Sequence, residues 1–300
     1  MLGWFVTSGY FQNESVLYVK DCFKNAFKKH GIDFCHVKSN EKICYINEKG
    51  NVVLQGEKPD FVVFWDKDVL FASMMEKLGI KVFNSSKAIE ICDDKAKTVV
   101  ALAERGIAMP KTVVAPLVFS NCNETDEVFI NNLEKTLDFP MIVKESSGSF
   151  GWQVYLARDR QQLKELRKKL LHVSHLYQQF VSSSSGKDVR VIVVGGKAIA
   201  SMVRENKNDF RANVELGGSA KYIPVDEVFL RTAEKCANVL GLDYAGVDLL
   251  VDKNGLPLVC EVNSNAYFKG MQSVFNVDVA DVYLQYILLC LTATDQQSAS

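Results

Sequence analysis

The stretch Ala245-Gly246-Val247-Asp248-Leu249-Leu250-Val251-Asp252-Lys253-Asn254-Gly255-Leu256-Pro257-Leu258-Val259-Cys260-Glu261-Val262-Asn263 consists of two apolar runs separated by a polar tetrapeptide. Asn-Gly is a strong hairpin signal because both residues tolerate positive φ. With Asn254-Gly255 as a two-residue turn, Lys253 faces Leu256 and paired residue numbers sum to 509, so Asp248 lies directly opposite Glu261. Asn263 lies two positions beyond Glu261, and the period-2 alternation of a strand puts both on one face. A four-residue loop keeps these faces; a three-residue loop breaks the argument. The opposite face, carrying Val247, Leu249, Val251, Leu258, Cys260 and Val262, is wholly apolar and is expected to face the core.

Two carboxylates directly across a strand pair repel each other. A divalent cation offsets that repulsion, and two carboxylates with an amide oxygen suit magnesium, which keeps open positions for phosphate oxygens. The bland reading is that both acids lie on a solvated sheet face and bind nothing.

Upstream, the run at residues 140–143 ends in Lys144 and is followed by Glu145-Ser146-Ser147-Gly148-Ser149-Phe150-Gly151. Small residues let backbone N–H groups approach phosphate oxygens, and the strand-end lysine adds a point charge. The loop matches neither G-x-x-x-x-G-K-[ST] nor G-x-G-x-x-G, and taken alone an ordinary turn explains it equally well. Lys95, in Asp94-Lys95-Ala96-Lys97-Thr98, is by default a solvated helix lysine. Arg190, Arg204 and Arg211 are less bland, since each lies in or beside an apolar extended run where an unpaired guanidinium would be costly to bury. Cations facing an acidic metal site are what stabilising a transferring phosphoryl group requires.

The remaining chain supplies a frame for these pieces. Residues 1–86 alternate apolar runs with helical spacing (Val16, Val19, Phe23, Phe27), reading as a small α/β layer of mostly parallel strands, with a hairpin at 43–54. Residues 87–181 begin with one helix running through Ile89, Val99 and Leu102 to Gly106, and continue as strands, the glycine loop and an amphipathic helix at 163–171. The serine tract 182–185 with Gly186 is a candidate hinge. Residues 182–294 read as antiparallel strands with a helix around 230–240, and 295–300 as a polar tail. The fold class is α/β (α+β).

The 300 residues carry 35 basic and 36 acidic side chains with 48% hydrophobic content, which describes a folded protein without the basic footprint of a nucleic-acid or anionic-membrane binder. No apolar run approaches the length of a membrane span. The 8 cysteines are scattered singly, which suits a reducing compartment and a cytoplasmic protein.

In order, these segments resemble the ATP-grasp superfamily, and more narrowly the RimK-like carboxylate–amine ligases, including the α-L-glutamate ligases and the amino-group-carrier ligases of lysine biosynthesis. The resemblance runs from about residue 85 to 285. It rests on Asp94-Lys95, on Gly106-Ile107-Ala108-Met109-Pro110-Lys111-Thr112, on the run ending at Lys144, and on Tyr177-Gln178-Gln179-Phe180-Val181. It continues through Lys187-Asp188-Val189-Arg190, Asp209-Phe210-Arg211-Ala212-Asn213, Ala245-Gly246-Val247-Asp248 and Glu261-Val262-Asn263.

The resemblance implies a pre-grasp domain at 1–86 followed by a two-subdomain grasp fold divided near 181. It implies ATP as nucleotide and magnesium or manganese as metal. Lys95, Lys144 and the loop residues Ser147, Gly148 and Ser149 would hold phosphates, Gln179, Phe180 and Val181 the adenine, and Asp188 the ribose. Arg211 and Asn213 would contact phosphate or substrate, with Arg204 and Arg211 as the catalytic cations and Asp248, Glu261 and Asn263 as metal ligands. Gln179 replaces the usual glutamate of the hinge. The implied reaction joins a carboxylate to an amino-acid amine through an acylphosphate; the alternatives are a small-molecule kinase and a nucleotide binder without turnover. Self-association is left open.

Overall fold

The computed structural model describes residues 1–122, 127–272 and 277–298. The chain opens with β1 (Leu2–Thr7), α1 (Glu14–Lys29), β2 (Asp33–Lys38), the hairpin β3 (Cys44–Ile46) and β4 (Val52–Leu54), β5 (Phe61–Trp65), α2 (Val69–Lys77) and β6 (Lys81–Phe83). Strands β2-β1-β5-β6 form a parallel sheet in that order. Every residue of β5 is buried, as a parallel strand covered on both faces requires. Asn13 caps α1 by accepting from the Val16 N–H at 2.9 Å, and its apolar stripe of Val16, Val19, Phe23 and Phe27 is buried.

Where one helix is expected up to Gly106 there are two, α3 (Ser86–Cys92) and α4 (Lys95–Leu102). Asp94 between them accepts from the N–H groups of Ala96 and Lys97 and so starts a new helix. The next unit contains β7 (Thr112–Val114), α5 (Glu127–Thr136), β8 (Met141–Glu145), β9 (Val154–Ala157), α6 (Arg160–Lys169) and β10 (His175–Gln179). Its antiparallel sheet, β7-β10-β8-β9, shares a core with α5 and α6 through Ile130, Leu133, Leu163 and Tyr177.

After a 3-10 turn at Ser182–Ser184 come β11 (Lys187–Val194), β12 (Lys197–Glu205), β13 (Ser219–Lys221), α7 (Glu227–Leu240), β14 (Tyr244–Val251), β15 (Pro257–Asn263), α8 (Lys269–Gln272) and α9 (Val279–Ser298). The second antiparallel sheet has the order β13-β12-β11-β14-β15. One face, with Val189, Val191, Val247 and Leu249, packs on Phe229, Ala233, Cys236, Ala237 and Leu240 of α7. The other face, with Ile192, Val194, Met202 and Tyr244, joins the aromatic core of α1, β1, β5 and α9. The polar tail expected at 295–300 is therefore helical through Ser298, with 299 and 300 outside the described residues. Helix α9 folds back on α1, where Asp281 takes Lys29 and His30 at 2.7 Å each. Among the described residues no helix is long and apolar enough to cross a membrane.

Candidate active site

The hairpin turn holds three residues rather than two. Asp252 N–H donates to the Leu256 carbonyl at 2.8 Å, and the Asp252 carboxylate accepts from the N–H groups of Asn254 at 2.8 Å and Leu256 at 2.7 Å. Only Gly255 adopts positive φ, +83°. The added residue shifts the pairing by one, so that Val251 faces Pro257, Leu250 faces Leu258 and Leu249 faces Val259. A bulge next to Cys260 then restores the register, and Asp248 faces Glu261 and Gly246 faces Asn263 as expected. Such a bulge re-aims side chains at a site edge. It also corrects the expected core face: Val259 is buried in the core in place of Leu258 and Cys260, and Cys260 turns toward a cleft beside Leu250.

Strand alternation assembles the charges around this pair. Asp188 and Arg190 lie on the β11 face that carries Ile192 and Val194 further along. Arg204 lies opposite Asp188 on β12, and Asp248 opposite Arg190 on β14. The Arg204 guanidinium donates from Nε to Asp188 Oδ1 at 2.7 Å and from Nη2 to Oδ2 at 2.5 Å, and reaches Asp248 Oδ2 at 2.9 Å. Arg190 donates to both Asp248 oxygens at 2.7 Å. Burial alone would raise the Asp248 pKa, but the two guanidiniums outweigh it and hold the carboxyl below its ordinary range.

Lys95 is not the solvated helix lysine of the bland reading. Its side chain is 11% exposed, and Nζ lies 3.2 Å from Glu261 Oε1 and donates to the Gly148 carbonyl at 3.1 Å. Burial raises the Glu261 pKa, while Lys95, Lys144 and Lys67 outweigh it and keep it below the ordinary glutamate value. Lys144 is buried, and its nearest polar partners are the Cys260 carbonyl at 3.4 Å and sulfur at 3.5 Å.

The cleft containing Lys95, Lys144, Asp188, Asn213, Asp248 and Glu261 also takes in Gln179, Phe180, Val181 and Arg211, so most of the sequence-derived nucleotide set converges. Its apolar walls are Ile142, Val154, Leu250 and Phe210. Gln178, next to Gln179, is buried and donates to Thr112 Oγ1 at 2.9 Å. Arg211 is held by Asp209 at 2.7 Å and donates to the Gly151 carbonyl at 2.6 Å, which ties it to the glycine loop. Ser147 does not join the set: it is exposed and lines neither cavity. Ser149 lines a second, larger cavity of about 320 Å³, which shares Arg204, Asn213 and Glu261 with the cleft.

The larger cavity contains residues that the sequence reading missed. Thr7, Ser8, Trp65, Asp66 and Lys67 come from the carboxyl ends of β1 and β5, and Phe150, Asn265 and Tyr267 from the grasp region. The available signal was the crevice at the carboxyl ends of parallel strands, where ligands bind in open α/β sheets. Phe150 has φ +60°, a costly value outside glycine, and its ring stacks on Tyr267 at 6.2 Å and 11° and approaches Phe11 at 5.7 Å.

The RimK-like ATP-grasp domain model matches residues 92–287, more than half of the chain. The chain belongs to the RimK-like ATP-grasp family. Human N-acetylaspartylglutamate synthase A is 34% identical over 228 residues, which are 75% of this chain and 57% of that protein. Human beta-citrylglutamate synthase B is 34% identical over 271 residues, 85% of this chain and 68% of that protein. The chain thus spans between about half and two thirds of these relatives. D-alanine–D-alanine ligase from Bacillus anthracis complexed with ATP matches with a TM-score of 0.71 at 17% identity, covering 99% of both chains, a likeness of fold. The family is RimK-like ATP-grasp, and the fold is the one this solved ligase shares.

In this RimK-like protein the donor set fits a hard divalent cation. Among the described residues no three His, Cys, Asp or Glu side chains cluster for a metal, so a third protein ligand would be the Asn263 amide oxygen. Asn263 Nδ2 is buried without a hydrogen-bond partner, so this amide is not committed through its nitrogen. Each carboxylate oxygen has about two acceptor sites. Asp248 Oδ1 takes one donor, Arg190 Nε, and keeps capacity toward a cation.

Proposed function

We propose that the chain is an ATP- and magnesium-dependent carboxylate–amine ligase that forms an amide through an acylphosphate and releases ADP, adding glutamate or a similar amino acid. The observation that carries this reading is the meeting of the two cavities at Glu261, Asn213 and Arg204. The smaller one has the apolar slot and cationic end that a nucleotide needs, and the larger one has room for the acid. The names of the two synthases, both glutamate conjugates, support the choice of amine.

Asp248, Glu261 and Asn263 would hold the metal, which when bound neutralises phosphate charge. Gln179, Phe180 and Val181 bind the base, and Asp188 lies toward the sugar. Lys95 and Lys144 draw the terminal phosphates toward Glu261, and Arg204 and Arg211 stabilise charge on the transferring group. The substrate carboxylate attacks the γ-phosphorus and ADP leaves; the amine then attacks the acyl carbon and inorganic phosphate leaves. Positioning and charge neutralisation supply the rate, so no side-chain nucleophile is required. The loop with Gly148 and Phe150 covers the junction and excludes water. The scattered single spacing of the eight cysteines supports a cytoplasmic setting.

The test is ATP consumption with magnesium, a panel of acids and hydroxylamine as a general amine. ADP with a hydroxamate is expected. ADP with a stable phosphorylated product would make the protein a kinase, and no ADP with any acid would refute the reading.

A further inference from the structure

The larger cavity has a cation that the reaction above does not use. Lys67 follows β5 at the carboxyl end of the parallel sheet, and its N–H donates to its neighbour's carboxylate, Asp66 Oδ1, at 2.7 Å. Its Nζ lies 3.2 Å from Asp93 Oδ1. The other Asp93 oxygen accepts from Ser264 Oγ at 2.7 Å, and the Ser264 carbonyl accepts from Asn84 Nδ2 at 3.0 Å. The ammonium is therefore fixed between the first sheet and the chain that leaves β15, one residue beyond Asn263.

Burial works against the Lys67 charge, but Asp93 and Glu261 outweigh it, and the pKa lies above the ordinary lysine value. An ammonium has three donors. Among the described residues Asp93 is the one ion-pair partner, and the side chain keeps 34% exposure while lining the cavity. The two arginines that also line it direct Nε and Nη2 at Asp188 and Asp248. Lys67 is thus the cation of the larger cavity with donors to spare. Across from it, the stacked Phe150 and Tyr267 rings provide an apolar flank.

We propose that Lys67 is a specificity-determining residue: its ammonium binds a second, non-reacting carboxylate of the acid whose first carboxylate is activated beside Glu261. This rests on the carboxylate-activation reading above. A cation held by the partly buried Asp93–Ser264 pair loses little freedom on binding, and a neutral group in place of the second carboxylate leaves it unpaired. The protein should therefore select dicarboxylic acids over the same skeletons with one carboxylate masked as an amide.

The experiment uses the full chain with ATP, magnesium and hydroxylamine, and the acids citrate, N-acetylaspartate, glutarate and glutamate. The best acid is then compared with its monoamides in the unmodified protein, in Lys67→Met and in Lys67→Arg. The expected result is a loss of about 10- to 100-fold in kcat/KM when the remote carboxylate is masked. In Lys67→Met that loss should shrink below about threefold, with most of the change in KM for the acid, and Lys67→Arg should restore part of it. KM for ATP should stay within about twofold in all three proteins, which separates lost recognition from general damage. Undiminished preference in Lys67→Met would overturn the proposal, as would an equal loss for acid and amide or a preference for monocarboxylates. No ADP with any acid in the unmodified protein would instead refute the activation reading, and the role of Lys67 with it.

Discussion

The two walls of the nucleotide cleft are built in opposite ways. On the large sheet Arg204, Asp188 and Asp248 are buried, and Arg204 pairs with both carboxylates through cross-strand positions set by the β11 register. On the small sheet Lys144 is equally buried, but its polar contacts are long, 3.4 and 3.5 Å, and the loop after it carries positive φ at Gly148, Phe150 and Gly151. The first wall is set before any ligand arrives; the second has unspent donors and a loop whose conformation is costly. The difference teaches that buried charge here serves two ends: to fix a template on one side and to wait for phosphate on the other.

The sharpest way to break this comparison is at Glu261, which faces both cavities. Glu261→Ala should lower ATP turnover on the order of 10³-fold, since it removes a metal ligand and the partner of Lys95; near-normal turnover in a steady-state ADP assay would remove Glu261 from the site. Next in size is a contrast between the walls. Arg204→Met leaves Asp188 and Asp248 without their shared cation and should cost about 3–5 kcal/mol in urea unfolding. Lys144→Met should cost less than about 1 kcal/mol while reducing turnover by about 100-fold. Equal stability losses would show that the two walls do not differ.

A smaller effect concerns pH. The Asp248 carboxyl lies below its ordinary range in the folded chain because Arg190 and Arg204 outweigh its burial. The folded state therefore binds fewer protons than the unfolded one. The stabilisation is complete above the unfolded carboxylate pKa of about 4 and is lost as pH falls through the lower folded value. Thermal unfolding from pH 5 downward should show a shallower decline in Asp248→Asn; parallel curves would mean that this carboxylate adds nothing. The smallest effect is expected at Phe150. Glycine suits its φ of +60°, so Phe150→Gly should change stability by less than about 1 kcal/mol, with turnover a few-fold lower for loss of the stack on Tyr267. Unaltered turnover would show that the loop needs no ring to cover the junction.

Much of the fold was legible because burial and period leave marks in sequence. The apolar run of β5, the stripe on α1 and the apolar extended run of β11 each correspond to an element found. The Asp248–Glu261 pairing was legible too, but by a route that hid two compensating irregularities. A three-residue turn slipped the register and a bulge beside Cys260 slipped it back, and neither leaves a periodic trace. Helix α9 continued through residues that composition alone marked as a tail, because its apolar first half is anchored on α1. The larger cavity was hidden for a different reason. Lys67 and Phe150 are ordinary residues in sequence, and only the meeting of the first sheet with the grasp region makes them neighbours of Glu261.

The most direct test of the central claim follows the oxygen atoms. With an acid labelled with ¹⁸O in its carboxylate, ATP and an amine, acylphosphate chemistry predicts one labelled oxygen in inorganic phosphate for every amide formed. Label in AMP, or phosphate free of label while amide accumulates, would contradict it.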